Sequence, residues 1–235
     1  MARIFMMILV ASLLANTFFG MVQLELSTDD VSVALHNGKS SPVPGPEGPT
    51  GLTRATITVD DDGPADFNNI QDAIDNASNG DTIVVKSGIY DEFITIDREL
   101  TLRGDPGDIT PGPGPSAPVL DGGGAEGKAI MFEGGVSNIT VEGFEFQNYG
   151  GDRGCAICAW NDAPNHNIVV KDNYMHNLSY NGILVGNCAG TIFNNWTVRN
   201  NVVDHTDGIW AGLELTNVCN STISNNVIAT ASHTH

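Results

Sequence analysis

The stretch Asn138-Ile-Thr-Val-Glu-Gly-Phe-Glu-Phe-Gln-Asn148 returns three times before the chain ends. It comes back as Asn167-Ile-Val-Val-Lys-Asp-Asn-Tyr-Met-His-Asn177, as Asn195-Trp-Thr-Val-Arg-Asn-Asn-Val-Val-Asp-His205, and as Asn220-Ser-Thr-Ile-Ser-Asn-Asn-Val-Ile-Ala-Thr230. The copies start 29, 28 and 25 residues apart. A second phrase keeps nearly the same step: Glu126-Gly127, Arg153-Gly154, Asn181-Gly182 and Asp207-Gly208 each open a short apolar run. Two phrases sharing one period make an internal repeat, which governs every other reading of the chain.

Each unit is too short for a pair of helices, and its apolar residues alternate: Ile139/Val141, Ile168/Val170, Trp196/Val198, then Phe146, Met175, Val203 and Ile228. Period two means strand. Gly143, Asn173, Asn201 and Asn226 mark the bends. Short strands with polar corners and one turn of chain per repeat predict an all-β, single-stranded parallel β-helix. Its coils stack about 4.8 Å apart, and like residues pile into columns down the solenoid. Parallel crossovers are overwhelmingly right-handed, so a right-handed coil is expected. The asparagines at the bends are expected to form structural ladders, bonding backbone and one another.

Outward from the repeats, the N-terminus starts with a basic Met1-Ala-Arg3 and an apolar run from Ile4 to Val22. Residues 1–22 read as a signal peptide or an N-terminal anchor, with residues 4–22 the membrane tether in the second case. Residues 23–55 end in Ser40-Ser-Pro-Val-Pro-Gly-Pro-Glu-Gly-Pro49 and read as a Pro/Gly-rich linker. The β-helix domain spans 56–235. It opens with strand Thr56–Val59, followed by an amphipathic helix with Phe67, Ile70, Ala73, Ile74 and Ala77 on one face and Asp66 as N-cap. Such a helix covers the open end of a solenoid. Strands follow at 81–90, 92–97 and 100–104. A Pro/Gly loop over 105–118 then bulges from a coil before Val119-Leu-Asp-Gly122.

The run Ile70-Gln-Asp-Ala-Ile74, Gly80-Asp-Thr-Ile-Val-Val, Gly88-Ile-Tyr90, Leu100-Thr-Leu-Arg-Gly104 and Asp121-Gly resembles the N-terminal part of pectin-lyase-like right-handed β-helix proteins. The Asn-rich units from Asn138 resemble the parallel β-helix repeats of that superfamily. Together they cover about Thr56 to Thr230. The resemblance implies the fold, and export is expected from the apolar N-terminal run. The resemblance leaves the activity open, because the superfamily spans polysaccharide lyases, hydrolases, esterases and epimerases, tailspikes, copper-insertion accessory proteins and surface proteins. The Gly-His-Gly of polygalacturonase-like enzymes and the Gly-Arg-Pro-Trp of pectin esterases do not occur. Lyases of this fold use a Lys or Arg base, usually with acidic residues holding Ca²⁺ against the uronate carboxylate, and those positions follow no sharp motif.

Stacking places the ends of the repeated phrases on one edge: Gln147/Asn148, His176/Asn177 and Asp204/His205. The residues before each glycine, Glu126, Arg153, Asn181 and Asp207, are expected close by. The candidate catalytic residues are therefore Asp207, Arg153, Asp204 and His205, with His176, Tyr180, Trp210 and Asp152 as substrate-binding residues. The same residues also read as a solvated edge of a polar repeat protein. Asp60, Asp61 and Asp62 are the candidate Ca²⁺ ligands; no other cofactor is expected. Cys155-Ala-Ile-Cys158 has metal-ligand spacing without a second pair, and residues three apart on a strand are expected on opposite faces. Cys158, Cys188 and Cys219, about one coil apart, read as an inter-coil disulfide or a thiol ladder. Trp196 is expected in the core.

A formal net charge of −18, with Lys+Arg 10 against Asp+Glu 28, argues against nucleic acid as a partner. Five sequons, at Asn76, Asn138, Asn177, Asn195 and Asn220, are present. The last coil carries no closing cap, so a further chain or module is expected on that end, or the β-helix is C-terminally incomplete. The reading is a secreted or cell-surface protein that acts on or binds an acidic polysaccharide. The alternatives are a non-catalytic adhesion or carbohydrate-binding scaffold and, behind it, a metal-handling accessory protein.

Overall fold

The computed structural model describes residues 54–105, 117–206 and 211–229. The expected leader, most of the linker, the loop at 106–116 and the last residues of the chain lie outside them. In chain order the elements are β1 (Thr56–Val59), α1 (Ile70–Asn76), β2 (Asp81–Val85), β3 (Gly88–Tyr90), β4 (Ile94–Ile96), β5 (Leu100–Gly104), β6 (Pro118–Asp121) and β7 (Glu126–Phe132). They continue with β8 (Thr140–Glu142), β9 (Glu145–Gln147), β10 (Gly150–Trp160), β11 (Ile168–Lys171), β12 (Tyr174–Leu178), β13 (Ile183–Gly186) and β14 (Phe193–Asn194). The last are β15 (Trp196–Arg199), β16 (Val202–Thr206), β17 (Leu213–Leu215), β18 (Val218–Cys219), β19 (Thr222–Ser224) and β20 (Val227–Ile228). Among the described residues no helix is long and apolar enough to cross a membrane.

Each strand pairs in parallel with its counterpart one coil on, so the chain winds through three long sheets, with β14 and β18 forming a fourth of two strands. Sheet 1 has seven strands (β1-β2-β5-β8-β11-β15-β19), sheet 2 six (β3-β6-β9-β12-β16-β20) and sheet 3 five (β4-β7-β10-β13-β17). The expected solenoid is present. Its alternation sends one residue set inward as continuous columns. In sheet 1 the column runs Ile57, Ile83, Leu102, Val141, Val170, Val198, Ile223. In sheet 2 it runs Tyr90, Leu120, Phe146, Met175, Val203, Ile228. In sheet 3 it runs Ile94, Ile130, Ile157, Ile183, Leu213. Most of these side chains are fully buried, each worth roughly 1.5–3 kcal/mol of transfer free energy. Trp196 is fully buried, as expected, and its Nε1 donates to the Asn165 carbonyl at 2.9 Å.

The corners follow the asparagines. Asn138, Asn167, Asn195 and Asn220, which open the four copies, hold φ of 58°, 56°, 59° and 50°. Asn tolerates that left-handed region better than any other residue with a Cβ. Their amides form a ladder, Asn167 donating to Asn138 and Asn195 to Asn167, each at 3.0 Å. A second ladder, Asn173–Asn201–Asn226, lies inside the bend between sheets 1 and 2.

The N-terminal helix differs from the expectation. It is seven residues long, and its N-cap is Asn69, whose Oδ1 accepts the Asp72 N–H at 2.8 Å. Asp66 instead bonds Thr58, and Phe67 is drawn into a bridge with Val59. The Glu92 carboxylate accepts the first free N–H groups, Ile70 at 2.7 Å and Gln71 at 2.9 Å. Those are donors a helix start leaves unpaired. Ile70, Ala73 and Ile74 join the core cluster at the first coils. The strand expected over 81–90 is two, β2 and β3, because the chain turns from sheet 1 into sheet 2 between them.

Candidate functional site

Three neighbouring surfaces carry the chemistry-bearing side chains: the outer face of sheet 2, the corner that follows it, and the outer face of sheet 3. On sheet 2 the outward column Asp121, Gln147, His176, Asp204 is in strict register. The sequence expected Gln147, His176 and Asp204 on one edge, and the pairing of β9, β12 and β16 puts them there. A parallel outward column holds Glu145 and Tyr174. His176 Nε2 lies 2.8 Å from Glu145 Oε1, and its ring packs at 4.7 Å on Tyr174. Nδ1 has no hydrogen-bond partner among the described residues, so a neutral ring that gives its Nε2–H to Glu145 presents Nδ1 as an acceptor. Burial raises the Tyr174 phenol above its ordinary value, and the charges of Asp204 and Glu145 add to that.

At the corner, Asp121 is held by the Gly123 N–H at 2.8 Å, Gln147 Nε2 at 2.7 Å and Asn148 Nδ2 at 3.0 Å. Burial opposes its ionisation, but these donors and the nearby His176 keep its carboxyl below the usual carboxylate range. An open groove of about 560 Å³ lies beside it, lined by Asp121, Asn148, Tyr149, Asn177, Leu178, Ser179 and glycines.

On sheet 3, Arg153 and Tyr180 are close enough for the guanidinium to act on the phenol. The Lys128 and Arg153 charges both reach Cys158, and Lys128 also reaches Cys155. Neither cation is ion-paired with a carboxylate among the described residues, whereas Lys86, Arg98 and Lys171 are. Trp160 is 39% exposed on the same strand, its ring resting on Gly186 of the next coil.

The expected stacking of Asn181 on Arg153 fails here for a local reason. Between Gly150 and Cys155 strand β10 slips against β7: Gly150 pairs with Glu126 and Cys155 with Lys128, so five steps oppose two. This bulge shifts the register, and Asn181 no longer stacks on Arg153. The Asn181 N–H reaches the Cys155 sulfur instead, and its amide is buried, donating to the Ala211 carbonyl at 2.6 Å. Asp152 sits exposed in the bulge. Asp207 and Trp210 lie outside the described residues, as does the His205 side chain. Thus His176 and Asp204 share sheet 2, while Arg153 and Tyr180 share the start of sheet 3.

The cysteines also depart from the expectation. Cys155 and Cys158 are on one side, in a buried cluster with Leu184 and Tyr180, separate from the core cluster that takes Ala156, Ile157 and Ala159. Two consecutive residues turn inward, so positions three apart both face out. Cys158, Cys188 and Cys219 do not stack: Cys158 pairs with Leu184 and Cys219 with Asn194. All four are free thiols, with Cys188 and Cys219 exposed. Leu184 and Lys128, on either side of the thiols, were not singled out from sequence. Their register offset from Cys158 and Cys155 is the signal that finds them.

Asp60, Asp61 and Asp62 bring carboxylate oxygens within 4.8 Å of one another. These are the hard donors Ca²⁺ takes, although Asp60 also accepts the Gly63 N–H at 3.1 Å and Asp61 the Ile89 N–H at 3.3 Å.

A family model described as "Right handed beta helix region" matches residues 124–235. No curated protein and no solved structure matches the chain.

Proposed function

The chain is a right-handed parallel β-helix protein, and we propose that it binds a linear acidic polysaccharide across the outer face of sheet 3. One observation carries the reading. In a protein of formal charge −18, Lys128 and Arg153 stand on adjacent coils without a carboxylate partner among the described residues, flanked by Tyr180 and Trp160. Unpaired cations attract an anionic polymer, and a planar guanidinium suits a carboxylate. Exposed aromatic faces give pyranose rings an apolar surface. Export to a secreted or cell-surface location fits a partner of this kind.

A second reading, turnover, is favoured by the His176–Glu145 pair with Tyr174 beside it. A uronide carboxylate neutralised by a cation releases its α-proton at lower cost, and a histidine oriented by a carboxylate can take it up. Asp204 is the register neighbour of His176 on this face.

The test is a panel of pectate, alginate and neutral glucans, with and without the Ca²⁺ that Asp60, Asp61 and Asp62 offer to hold. Binding and the ultraviolet absorbance of unsaturated products are read together. Binding to a uronan that is lost in a Lys128→Ala/Arg153→Ala variant supports the proposal. Folded protein that retains no polyuronate removes it. Binding without product growth keeps the scaffold reading and removes the lyase.

A further inference from the structure

Five asparagines that the sequence leaves alike are separated by what their amides touch. Asn76, Asn138, Asn177, Asn195 and Asn220 each head a sequon, with a serine or threonine two places on. All five are exposed, so exposure does not rank them. Four of the amides are committed. Asn76 Nδ2 donates to the Asp72 carbonyl within α1 and Asn138 Nδ2 to Glu99 Oε1, each at 2.8 Å. Asn195 Nδ2 donates to Asn167 Oδ1 at 3.0 Å, and Asn220 Nδ2 to Asn194 Oδ1 at 3.2 Å. The Asn177 side chain makes no hydrogen bond among the described residues. Its φ of 51° lies in the left-handed region, and Leu178 after it is buried, so the sequon is anchored while its amide stands in solvent.

We propose that Asn177 is the position at which this chain carries an N-linked glycan. The donor is an oligosaccharide held on a lipid pyrophosphate. Asn177 Nδ2 attacks the anomeric carbon and the C–N bond forms. The bond from that carbon to the phosphate oxygen breaks, and one amide proton leaves to a base of the transferase. Transfer precedes closure of the coil, because in the folded chain the Ser179 hydroxyl is held by the Gly151 carbonyl and its N–H by the Tyr149 carbonyl. The fold then decides which glycan it can keep. Attachment replaces one of the two Nδ2 hydrogens with a bulky pyranose ring. At Asn195 or Asn220 that ring presses on the neighbouring asparagine of the coil before, and at Asn138 on Glu99. At Asn177 it displaces nothing. The proposal rests on export, expected from the N-terminal run, and is independent of polysaccharide binding at sheet 3.

The experiment secretes the full chain from a yeast, under a yeast leader, and maps its glycopeptides by mass spectrometry. The expected result is a glycan on most copies of Asn177 and on few of Asn195 and Asn220. Two single-sequon variants then measure what the fold tolerates. Each keeps one sequon and loses the others by alanine at the hydroxyl position, which spares every asparagine. Thr140, Thr197 and Thr222 suit this, since they stand in one outward column of sheet 1. The protein glycosylated only at Asn177 is expected to melt with the same variant made in a host without the transferase. The Asn195-only protein is expected to stay bare, or to melt about 2–4 °C below its bare counterpart, the worth of one ladder bond. Equal midpoint changes from glycans at Asn177 and Asn195 overturn the assignment. So does occupancy shared evenly among the sequons, or a bare Asn177 beside a control protein that the same yeast glycosylates.

Discussion

Asn173 donates through Nδ2 to Oδ1 of Asn201 at 3.0 Å, one coil away, and both side chains are fully buried. Asn201 Oδ1 also takes the Asn173 N–H at 3.2 Å, while its own Nδ2 serves the Val170 carbonyl and Asn226 Oδ1, each at 3.0 Å. Replacing Asn201 by Ala strips partners from groups on both neighbouring coils at once. The cost of leaving such groups unsatisfied predicts a loss of about 3 kcal/mol. Urea denaturation with unchanged slope measures it. A loss below about 1 kcal/mol would mean that water replaces the amide and that the ladder does not hold the bend.

Asp121 gives the fold a pH dependence of known sign. Its folded carboxyl lies below the ordinary value near 3.9. The stability it supplies is therefore fully present above the unfolded value and lost as pH falls through the lowered folded one. The acid limb of a stability-versus-pH curve is expected to be shallower in Asp121→Asn than in wild type below about pH 4. Parallel limbs would assign the acid sensitivity to other carboxylates.

The period, the three inward columns and the asparagine ladders were all legible, because each is a repeat of residue type at one spacing. The corner groove was not. Arg153 and Asn181 are 28 residues apart, which looks like the period, but Ile157 pairs with Ile183 at 26. The difference is taken up in the Gly150–Cys155 bulge, where glycine carries no periodic signal. The thiols misled for a related reason: Ala156 and Ile157 both turn into the core, so the two-residue alternation fails across them. Asp66 lost the helix start to Asn69 because Thr58, eight residues before it, captured its carboxylate.

Burial pushes the Cys155 thiol up to about 12 and raises Cys158 as well, while Cys188 and Cys219 are exposed. The thiolate is the reactive form. Native protein treated with iodoacetamide near pH 8 is expected to label at Cys188 and Cys219 and to spare Cys155 and Cys158 until denaturant is added. Peptide mass spectrometry reads this directly. Rapid native labelling of Cys155 would mean the sheet 3 face opens in solution.

Binding of a polyuronate at Lys128 and Arg153 is electrostatic at a partly exposed surface, so it should weaken steeply with salt. Titrations at rising NaCl are expected to show that dependence in wild type and in Trp160→Ala, with the latter weaker throughout. Affinity indifferent to salt would place the anionic polymer elsewhere.

Gly104 and Gly124 are both glycine for different reasons, and substitution separates them. Gly104 ends β5 where the next coil passes closest: a Cβ there would overlap the Gly143 carbonyl oxygen and meet the Pro118 ring at 2.9 Å. Neither neighbour is the loose end of a side chain, so Gly104→Ala forces two coils apart, with an overpacking cost of about 3 kcal/mol. Gly124 has open space around its position and a φ of +81°, so Gly124→Ala pays only for the left-handed backbone, about 1 kcal/mol. Chemical denaturation of the two variants is expected to rank Gly104→Ala as the more damaging. The reverse order would mean that the coils yield more easily than the backbone, against a core whose columns run without a gap from β2 to β16.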